Sequence, residues 1–135
     1  MKIFISQPMT GLEEEDILFT RAKEKAKARF VFGDDIEFAP SYTSDATRMK
    51  VEQHSNRADE MNWDIYWLVD ALRFMCTCDT LCLVEGWENS KGCQIEHEIA
   101  EMYGLNVYYP TGVYNNPSSW INDKEGETIW ETQNL

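Results

Sequence analysis

The sequence predicts an α/β protein, a three-layer flavodoxin-like or Rossmann-like sandwich on a sheet of four to five mainly parallel strands. The main observation is a strand–loop–helix–strand unit over Cys78 to Tyr109, the building block of a parallel sheet. Upstream of it, short apolar runs of strand length alternate with segments of helical length. The chain has 135 residues, 43% of them hydrophobic, which is enough for one core, so we expect a single domain over residues 1–135.

The first part of the chain contains two predicted strands around a long predicted helix. Lys2 to Ser6 is the first strand, and Gln7 to Gly11 is rich in turn residues. Leu12 to Phe30 is a helix with acidic residues early and basic residues late, as the helix dipole favours. This charge run therefore indicates a solvated helix face rather than a binding patch. Ile36 to Ala39 is the second strand, which Pro40 ends.

A long segment without periodicity and a second helix follow. Ser41 to Asn56 is long for a loop in a compact domain, which makes it a candidate active-site flap. The helix is predicted from about Ala58 to Met75. Its predicted buried stripe consists of Ile65, Leu68, Leu72 and Met75.

The unit that defines the fold class comes next. Leu81 to Val84 is the third strand, and Glu85 to Gly92 is a polar loop punctuated by glycine. Cys93 to Tyr103 is a helix with Ile95, Ile99 and Met102 as its predicted apolar stripe, and Val107 to Tyr109 is the fourth strand. The tail, Thr111 to Leu135, is rich in polar and turn residues, with Thr128 to Trp130 as a candidate short strand.

Composition limits the classes of partner. The chain has 12 Lys and Arg against 24 Asp and Glu, a net charge of −12. Nucleic-acid polymers and anionic membrane surfaces require clustered cations, so we expect the chain to bind neither. No stretch approaches transmembrane length. The residues from Met1 lead directly into a strand without a signal-peptide pattern, so we expect a cytoplasmic protein.

Four cysteines raise the question of a metal site. Cys76, Cys78 and Cys82 follow a C-x-C-x3-C spacing, and Cys93 comes later. Zinc sites usually contain C-x2-C pairs, so this spacing fits a metal poorly. We therefore expect reduced thiols that are buried or half-buried, with no metal and no other cofactor.

Candidate binding residues lie in the polar loop after the third strand and at the start of the next helix. Ligands of open parallel sheets bind at the carboxyl ends of the strands, where this loop is expected. Ser90 is placed to cap the helix, while Lys91 and Gly92 add a cation and an approachable backbone near free N–H groups. Glu96 could direct a carboxylate toward a bound sugar. The alternative is an ordinary capped helix with surface glutamates.

Two better-known motifs are incomplete in this sequence. The stretch from His97 has Glu101 where an H-E-x-x-H zinc site needs its second histidine. The first loop, Ser6 to Gly11, is neither a Walker A loop nor a G-x-G-x-x-G loop. Metalloprotease, nucleoside-triphosphate and dinucleotide sites therefore lose support.

Two stretches resemble a known family. They are K-I-F-I-S-Q-P-M-T-G from Lys2 and G-W-E-N-S-K-G-C-Q-I-E-H-E-I-A from Gly86. They resemble a family of small uncharacterised bacterial and phage proteins (DUF4406-like). That family is related to nucleoside 2-deoxyribosyltransferases and nucleoside 5′-monophosphate N-glycosidases. The resemblance spans roughly Met1 to Pro110, without the middle loop and the tail.

The resemblance implies catalytic roles. In the related enzymes an Asp or Ser, followed by x-G-x-x-x-Glu, begins a helix after a central strand, and Ser90, Gly92 and Glu96 keep that spacing. Glu96 would then be the nucleophile or catalytic carboxylate at the anomeric carbon of the sugar. Asp70 and Asp79 resemble a pair of aspartates before the strand, with one extra residue between them here. Asp70 would orient the sugar or protonate the base.

The resemblance also implies a small-molecule ligand, a nucleoside or nucleotide. The monophosphate glycosidases use a serine at the position of Ser90 to help bind the 5′-phosphate, which favours a phosphorylated ligand. Their first loop supplies an arginine that Gln7 to Gly11 lacks. Trp87 and Tyr42 are candidates to stack on the base, and packing is the alternative for both. The expected substrate-binding residues are Ser6, Pro8, Met9, Gly11, Asp79, Gly86, Trp87, Ser90, Lys91 and Gly92.

The activity implied is N-glycosidic cleavage or deoxyribosyl transfer through a catalytic glutamate. The alternatives are a non-catalytic nucleotide-binding or sensing module of the same fold and, with less support, a structural phage or mobile-element protein, since fold does not fix function. We also expect a homo-oligomer, because the related enzymes complete the sugar site with a neighbouring subunit. Late aromatic residues without predicted cover also favour an interface; they are Tyr108, Tyr109, Tyr114, Trp120 and Trp130.

Overall fold

A computed structural model describes residues 1–40 and 60–117 and shows a sheet flanked by helices. Its strands are β1 Lys2–Ser6, β2 Glu37–Phe38, β3 Thr80–Leu83, β4 Asn106–Tyr108 and β5 Tyr114–Asn115. Its longer helices are α1 Glu14–Phe32, α2 Trp63–Met75 and α3 Lys91–Met102, and a short 3-10 turn spans Trp87–Asn89.

The sheet has the strand order β2-β1-β3-β4-β5. β1 lies between β2 and β3, and the first four strands are parallel, whereas β5 runs antiparallel to β4 at the edge. The predicted fold class, an α/β sandwich on a mainly parallel sheet, is therefore confirmed. From β1 the chain first forms β2 on one side of β1 and then crosses to form β3 on its other side. This reversal of direction creates a topological switch point between β1 and β3.

Alternation along the strands divides the core between the two faces of the sheet. Ile3 and Ile5 belong to one buried cluster with Ala28 of α1. Phe4, which points to the opposite face, belongs to a second cluster with residues of α2 and α3, such as Met75. The sheet is thus the middle layer, with α1 on one face and α2 and α3 on the other.

The bounds of most elements agree with the sequence-based expectations to within two residues, but α2 begins later than predicted. The Asn62 side chain accepts a hydrogen bond from the Ile65 N–H at 3.2 Å and caps the helix there. Of the predicted stripe, Met75 is buried and Leu72 packs against the core. Ile65 is 58% exposed, so its assignment to the buried face was wrong.

α3 also buries a different face from the one predicted. Ile95 is 38% exposed and Met102 is 71% exposed, whereas Ile99 packs partly against the core. The buried residues of this helix are Cys93, Glu96 and Ala100. A glutamate is stable in this stripe because its carboxyl group has a hydrogen-bond partner on β1.

The antiparallel strand β5 was missed, since a pair of residues carries too little pattern to identify a strand. Tyr114 of β5 packs edge-on against Phe32 of α1, with ring centroids 5.1 Å apart. The candidate flap at residues 41–56 and the candidate strand at residues 128–130 lie outside the described part of the chain.

Candidate functional site

A buried hydrogen bond between β1 and α3 forms the centre of the candidate site. The Ser6 hydroxyl donates to Oε1 of Glu96 over 2.6 Å. Ser6 is 1% exposed and Glu96 is 6% exposed. Ser6 had been expected to bind substrate and Glu96 to act as the catalytic carboxylate, and the structure brings the two side chains into direct contact.

The strand order explains why these two residues meet. Ser6 is the last residue of β1 and pairs with Leu83 at the end of β3. The Val84 N–H donates to the Ser6 carbonyl at 3.0 Å, so the two strands remain together up to the loops that follow them. Glu96 therefore lies at the carboxyl edge of the sheet beside the β1/β3 switch point, where α/β proteins bind their ligands.

Burial controls the chemistry of Glu96. Removal from water raises its pKa to about 7, and the Ser6 hydrogen bond, which favours the ionised carboxylate, opposes part of the rise. A carboxyl group with such a pKa exchanges its proton near neutral pH, as acid–base groups of enzyme sites do.

The loop after β3 approaches the loop after β1. Gly86 has a φ of 92°, a left-handed conformation that glycine adopts without strain, and it precedes the 3-10 turn. A Cβ atom at Gly86 would lie 3.7 Å from Cγ of Pro8. Two of the expected substrate-binding residues, one from each loop, are thus neighbours at the edge of the sheet.

The first turn of α3 combines a cap, a cation and an open backbone. The Ser90 side chain accepts from the Cys93 N–H at 3.4 Å, so it caps the helix as predicted. Lys91 is exposed, and a Cβ atom added to Gly92 would meet nothing within 4 Å. The N–H groups of Lys91 and Gly92 have no intrahelical acceptor, which leaves this turn suited to an anion or a hydroxyl group.

The other expected residues of the first loop are less enclosed. Met9 is half-buried, and its carbonyl accepts from the Leu12 N–H at 3.2 Å in a turn. Gly11 is exposed, with a φ of 79° and no atom within 4 Å of an added Cβ. Both residues shape the path from β1 to α1.

Trp87 packs against its own domain. Its ring centroid lies 4.6 Å from that of His97 and 6.2 Å from that of Tyr109, and it joins the core cluster on that face of the sheet. His97 Nε2 and the Tyr109 hydroxyl are 2.8 Å apart. Trp87 therefore contributes to packing, and its stacking on a base stays a prediction. Tyr42 lies outside the described residues.

The two aspartates of the implied pair lie on different elements. Asp79 lies at the amino edge of the sheet, where its carboxylate accepts from the Lys2 N–H at 3.1 Å and from the Thr80 hydroxyl at 2.7 Å. It is therefore not brought together with Glu96, which lies at the opposite edge. Asp70 is on α2, on the same face of the sheet as α3, and its Oδ1 accepts from Nη1 of Arg73 at 3.2 Å.

Two buried neighbours of the site were missed by the sequence analysis. Cys93 is 2% exposed, and burial raises its pKa, against the effect of hydrogen bonds to the Ser6 and Ser90 side chains. Gln7 is 5% exposed and follows Ser6 directly. The sequence could have predicted the burial of Gln7, because Gln7 continues the alternation of buried residues set by Ile3 and Ile5. A polar side chain at such a position is a candidate for a functional role.

The cysteines are free thiols in different surroundings. Cys82 and Cys93 are buried and Cys78 is half-buried, whereas Cys76 is exposed, contrary to the expectation for that residue. Within residues 1–40 and 60–117, no cluster of three His, Cys, Asp or Glu side chains is arranged to hold a metal ion. No helix in these segments has both the length and the apolar character needed to span a membrane.

Fold and site together define an α/β protein with a buried carboxyl group at the switch point of a parallel sheet. The chain belongs to the family described as domain of unknown function DUF4406, whose model matches residues 1–109. This confirms the nearer part of the resemblance, while the wider relationship to deoxyribosyltransferases stays a prediction. Comparison with curated proteins finds no match, and comparison with solved structures finds none either.

Proposed function

We propose that this protein cleaves or transfers the N-glycosidic bond of a nucleoside or nucleoside 5′-monophosphate, with Glu96 as the reacting carboxylate. The observation that supports this most strongly is the Glu96 carboxyl group, buried at the carboxyl edge of the sheet and held by Ser6 at 2.6 Å. The family resemblance in the sequence supports the substrate class.

The reaction needs a carboxylate at this kind of position. Breaking an N-glycosidic bond develops positive charge on the anomeric carbon and its ring oxygen. In its ionised form Glu96 attacks the anomeric carbon to form a glycosyl ester, and the base leaves with the bonding electron pair and takes a proton from Asp70, the expected second acid. Water then releases the sugar, or a second base takes it, and the carboxylate is restored.

The pKa of about 7 is compatible with this role. Near neutral pH a large share of Glu96 is already ionised, and the approach of a developing cation favours the charged form further. The carboxylate is also poorly solvated, which strengthens its interaction with that cation.

The first turn of α3 supports an anionic ligand. Helix N–H groups, the Ser90 hydroxyl and the exposed side chain of Lys91 all belong to the turn that leads to Glu96. Phosphate groups bind well at helix N-termini of this kind. We therefore propose a 5′-monophosphate as the preferred form of the ligand.

A non-catalytic nucleotide-binding module is the second candidate. The position of Asp79 favours it, since this residue connects β1 to β3 at the amino edge of the sheet, away from Glu96. A buried carboxyl with a pKa near 7 can also bind a ligand by hydrogen bonding without reacting. Such a module would bind a nucleotide and return it unchanged.

The test is a panel of purine and pyrimidine nucleosides and their 5′-monophosphates, with free base measured by chromatography. We expect release of base by the wild-type protein and loss of at least about 99% of that rate in Glu96→Gln, since a catalytic carboxylate contributes several powers of ten. Glu24→Gln is the matched control because Glu24 is also buried, at 9% exposure, but lies on α1.

The outcomes separate the two candidates. Tight binding of a nucleotide without release or exchange of base would favour the binding module. Full activity of folded Glu96→Gln would remove Glu96 from the mechanism. Equal losses in Glu96→Gln and Glu24→Gln would indicate a structural effect of removing a buried carboxylate.

A further inference from the structure

The Gln7 side chain is a buried amide of which one half has no partner. Its Nε2 donates to the carbonyl of Ile17, in the first turn of α1, at 3.1 Å. Its Oε1 is buried without a hydrogen bond to any described residue. A buried carbonyl oxygen without a partner has given up its hydrogen bonds to water for none in the protein, which destabilises the fold and calls for an explanation.

The contact with Ile17 fixes the orientation of the amide. A peptide carbonyl can only accept hydrogen bonds, so the nitrogen of the Gln7 amide must face it. The oxygen is therefore the group that remains, and it requires an O–H or N–H donor.

The place of Gln7 in the chain relates it to the candidate site. Gln7 directly follows Ser6, so consecutive residues leave the end of β1 toward opposite faces of the sheet beside the switch point. Adjacent Cα atoms are about 3.8 Å apart. A ligand of nucleoside size that contacts Glu96 is large enough to extend to a neighbouring residue of this kind.

Asn106 provides an internal comparison. It is the other described residue whose buried side-chain oxygen has no partner, and it is 7% exposed. It begins β4 and pairs with Thr80, at the amino edge of the sheet. Two similar amides therefore lie at opposite edges, and only Gln7 lies at the edge where a ligand is expected.

We propose that the Gln7 carboxamide oxygen binds the ligand, by accepting a hydrogen bond from an O–H or N–H group of the nucleoside or nucleotide. This inference rests on the proposed function for its ligand class. The donor is either a sugar hydroxyl or an N–H group of the base, and both offer the same chemistry to the oxygen. Gln7 then selects ligands by a group that takes no part in the reacting bond.

Binding rather than turnover tests the proposal. Dissociation constants are measured by calorimetry in a Glu96→Gln background, so that no ligand is consumed, with adenosine, guanosine, cytidine, uridine and their 5′-monophosphates as probes. We expect Gln7→Met, which keeps the size of the side chain, to weaken the best probe about tenfold, the effect of about 1.4 kcal/mol. Asn106→Leu, the matched control, is expected to change the affinity by less than about twofold.

Analogues of the best probe identify the donor. Its 2′-deoxy, 3′-deoxy and base N-methylated forms each lack one donor. The analogue that lacks the donor bound by Gln7 is expected to have the same affinity for Gln7→Met as for the protein with native Gln7. A deoxy analogue that behaves in this way assigns a sugar hydroxyl, and the methylated analogue assigns the base. If every analogue keeps the tenfold difference, the proposal is wrong.

Further outcomes decide the proposal independently of catalysis. Equal losses of affinity in Gln7→Met and Asn106→Leu, or no binding of any probe, would overturn it. If Gln7→Met fails to fold, the side-chain carbonyl ¹³C resonance of Gln7 is followed instead, in the Glu96→Gln protein that keeps its native Gln7. We expect it to shift when the best probe saturates the site, and an unchanged resonance would contradict the proposal. Failure of base release alone affects the proposed function and leaves these results standing.

Discussion

At the scale of single residues, Glu96 links the stability of the fold to pH. Its pKa rises from the ordinary 4.5 to about 7 on folding because burial disfavours the charge. The folded protein therefore holds a proton that the unfolded chain releases. Its contribution to stability is complete below about pH 4.5 and is lost as pH rises through about 7, a change on the order of 3 kcal/mol.

Urea unfolding at pH 5 and pH 8 measures this contribution. We expect Glu96→Gln to lose less stability than the wild-type protein between the two pH values, since glutamine does not ionise. Glu24→Gln, the buried carboxylate of α1, should follow the wild-type curve more closely. Parallel curves for wild type and Glu96→Gln would show that Glu96 does not titrate in this range.

Ser6 acts on Glu96 through a single hydrogen bond. The bond favours the ionised carboxylate, so Ser6→Ala should raise the pKa of Glu96 further. If ionised Glu96 is the reacting form, the pH at which base release begins should move up by about one unit. Ser6→Thr keeps the hydroxyl group and should restore the original profile. A lower rate with an unchanged pH profile would assign Ser6 a purely structural role.

The contact between Ser6 and Glu96 could not be predicted from the sequence alone. Each residue was a candidate by its own position, one at the end of a strand and one in the first turns of a helix. Their contact depends on β3 pairing with β1 and on the rotation of α3 about its axis. Local periodicity favoured Ile95 and Met102 for the buried face, and only the three-dimensional structure shows that the buried stripe passes through Glu96.

At the scale of elements, a substitution at the start of α3 should change stability and ligand binding in opposite directions. An added Cβ at Gly92 meets no atom within 4 Å, and Gly92 is not among the glycines with a left-handed backbone. Gly92→Ala should therefore stabilise the protein by up to about 1 kcal/mol. If a ligand approaches this backbone, the same methyl group should weaken its binding.

Thermal unfolding of Gly92→Ala measures its stability, and titration with a nucleotide measures its ligand affinity. Glu98→Ala, an exposed change on the same helix, is the control for helix propensity. Unchanged affinity in a more stable Gly92→Ala protein would show that no ligand contacts this turn.

The elements themselves were predictable where local chemistry determines them. β1 has the predicted bounds because five residues of strand propensity end at a Gln-Pro turn. α2 begins at its Asn62 cap instead, a feature that the apolar pattern does not contain. The two-residue β5 exists through its pairing with β4 and its packing on Phe32, so its cause lies in distant parts of the chain.

At the scale of the whole molecule, the described late aromatic residues do not form the surface on which a homo-oligomer was expected. Tyr108 is 7% exposed and Tyr109 and Tyr114 are half-buried, so these three pack on their own sheet. Trp120 and Trp130 lie outside the described residues. Among the described residues, exposed apolar side chains occur on all three longer helices, and the most exposed are Phe30 and Phe19 of α1, at 92% and 70%, and Met102 at the end of α3, at 71%.

We still expect a homo-oligomer, now through one of these helical surfaces. Light scattering at micromolar concentration should give at least twice the mass of one chain. Phe30→Ser and Phe19→Ser test the α1 surface, and Met102→Ser tests the end of α3. A monomeric wild-type protein with full activity would exclude a site shared between subunits.

The separation of 90 residues between Ser6 and Glu96 has a consequence during protein synthesis. Of the five strands, β1 leaves the ribosome first, but it lies between β2 and β3, so its pairing is incomplete until both have been synthesised. At about 5–20 residues per second, Ser6 precedes Glu96 by roughly 5–20 s. A nascent chain that stops before α3 contains β2 and β3 but exposes the face of the sheet that α3 covers. The helix that carries the carboxyl group proposed to react is therefore also needed to protect the nascent chain from aggregation.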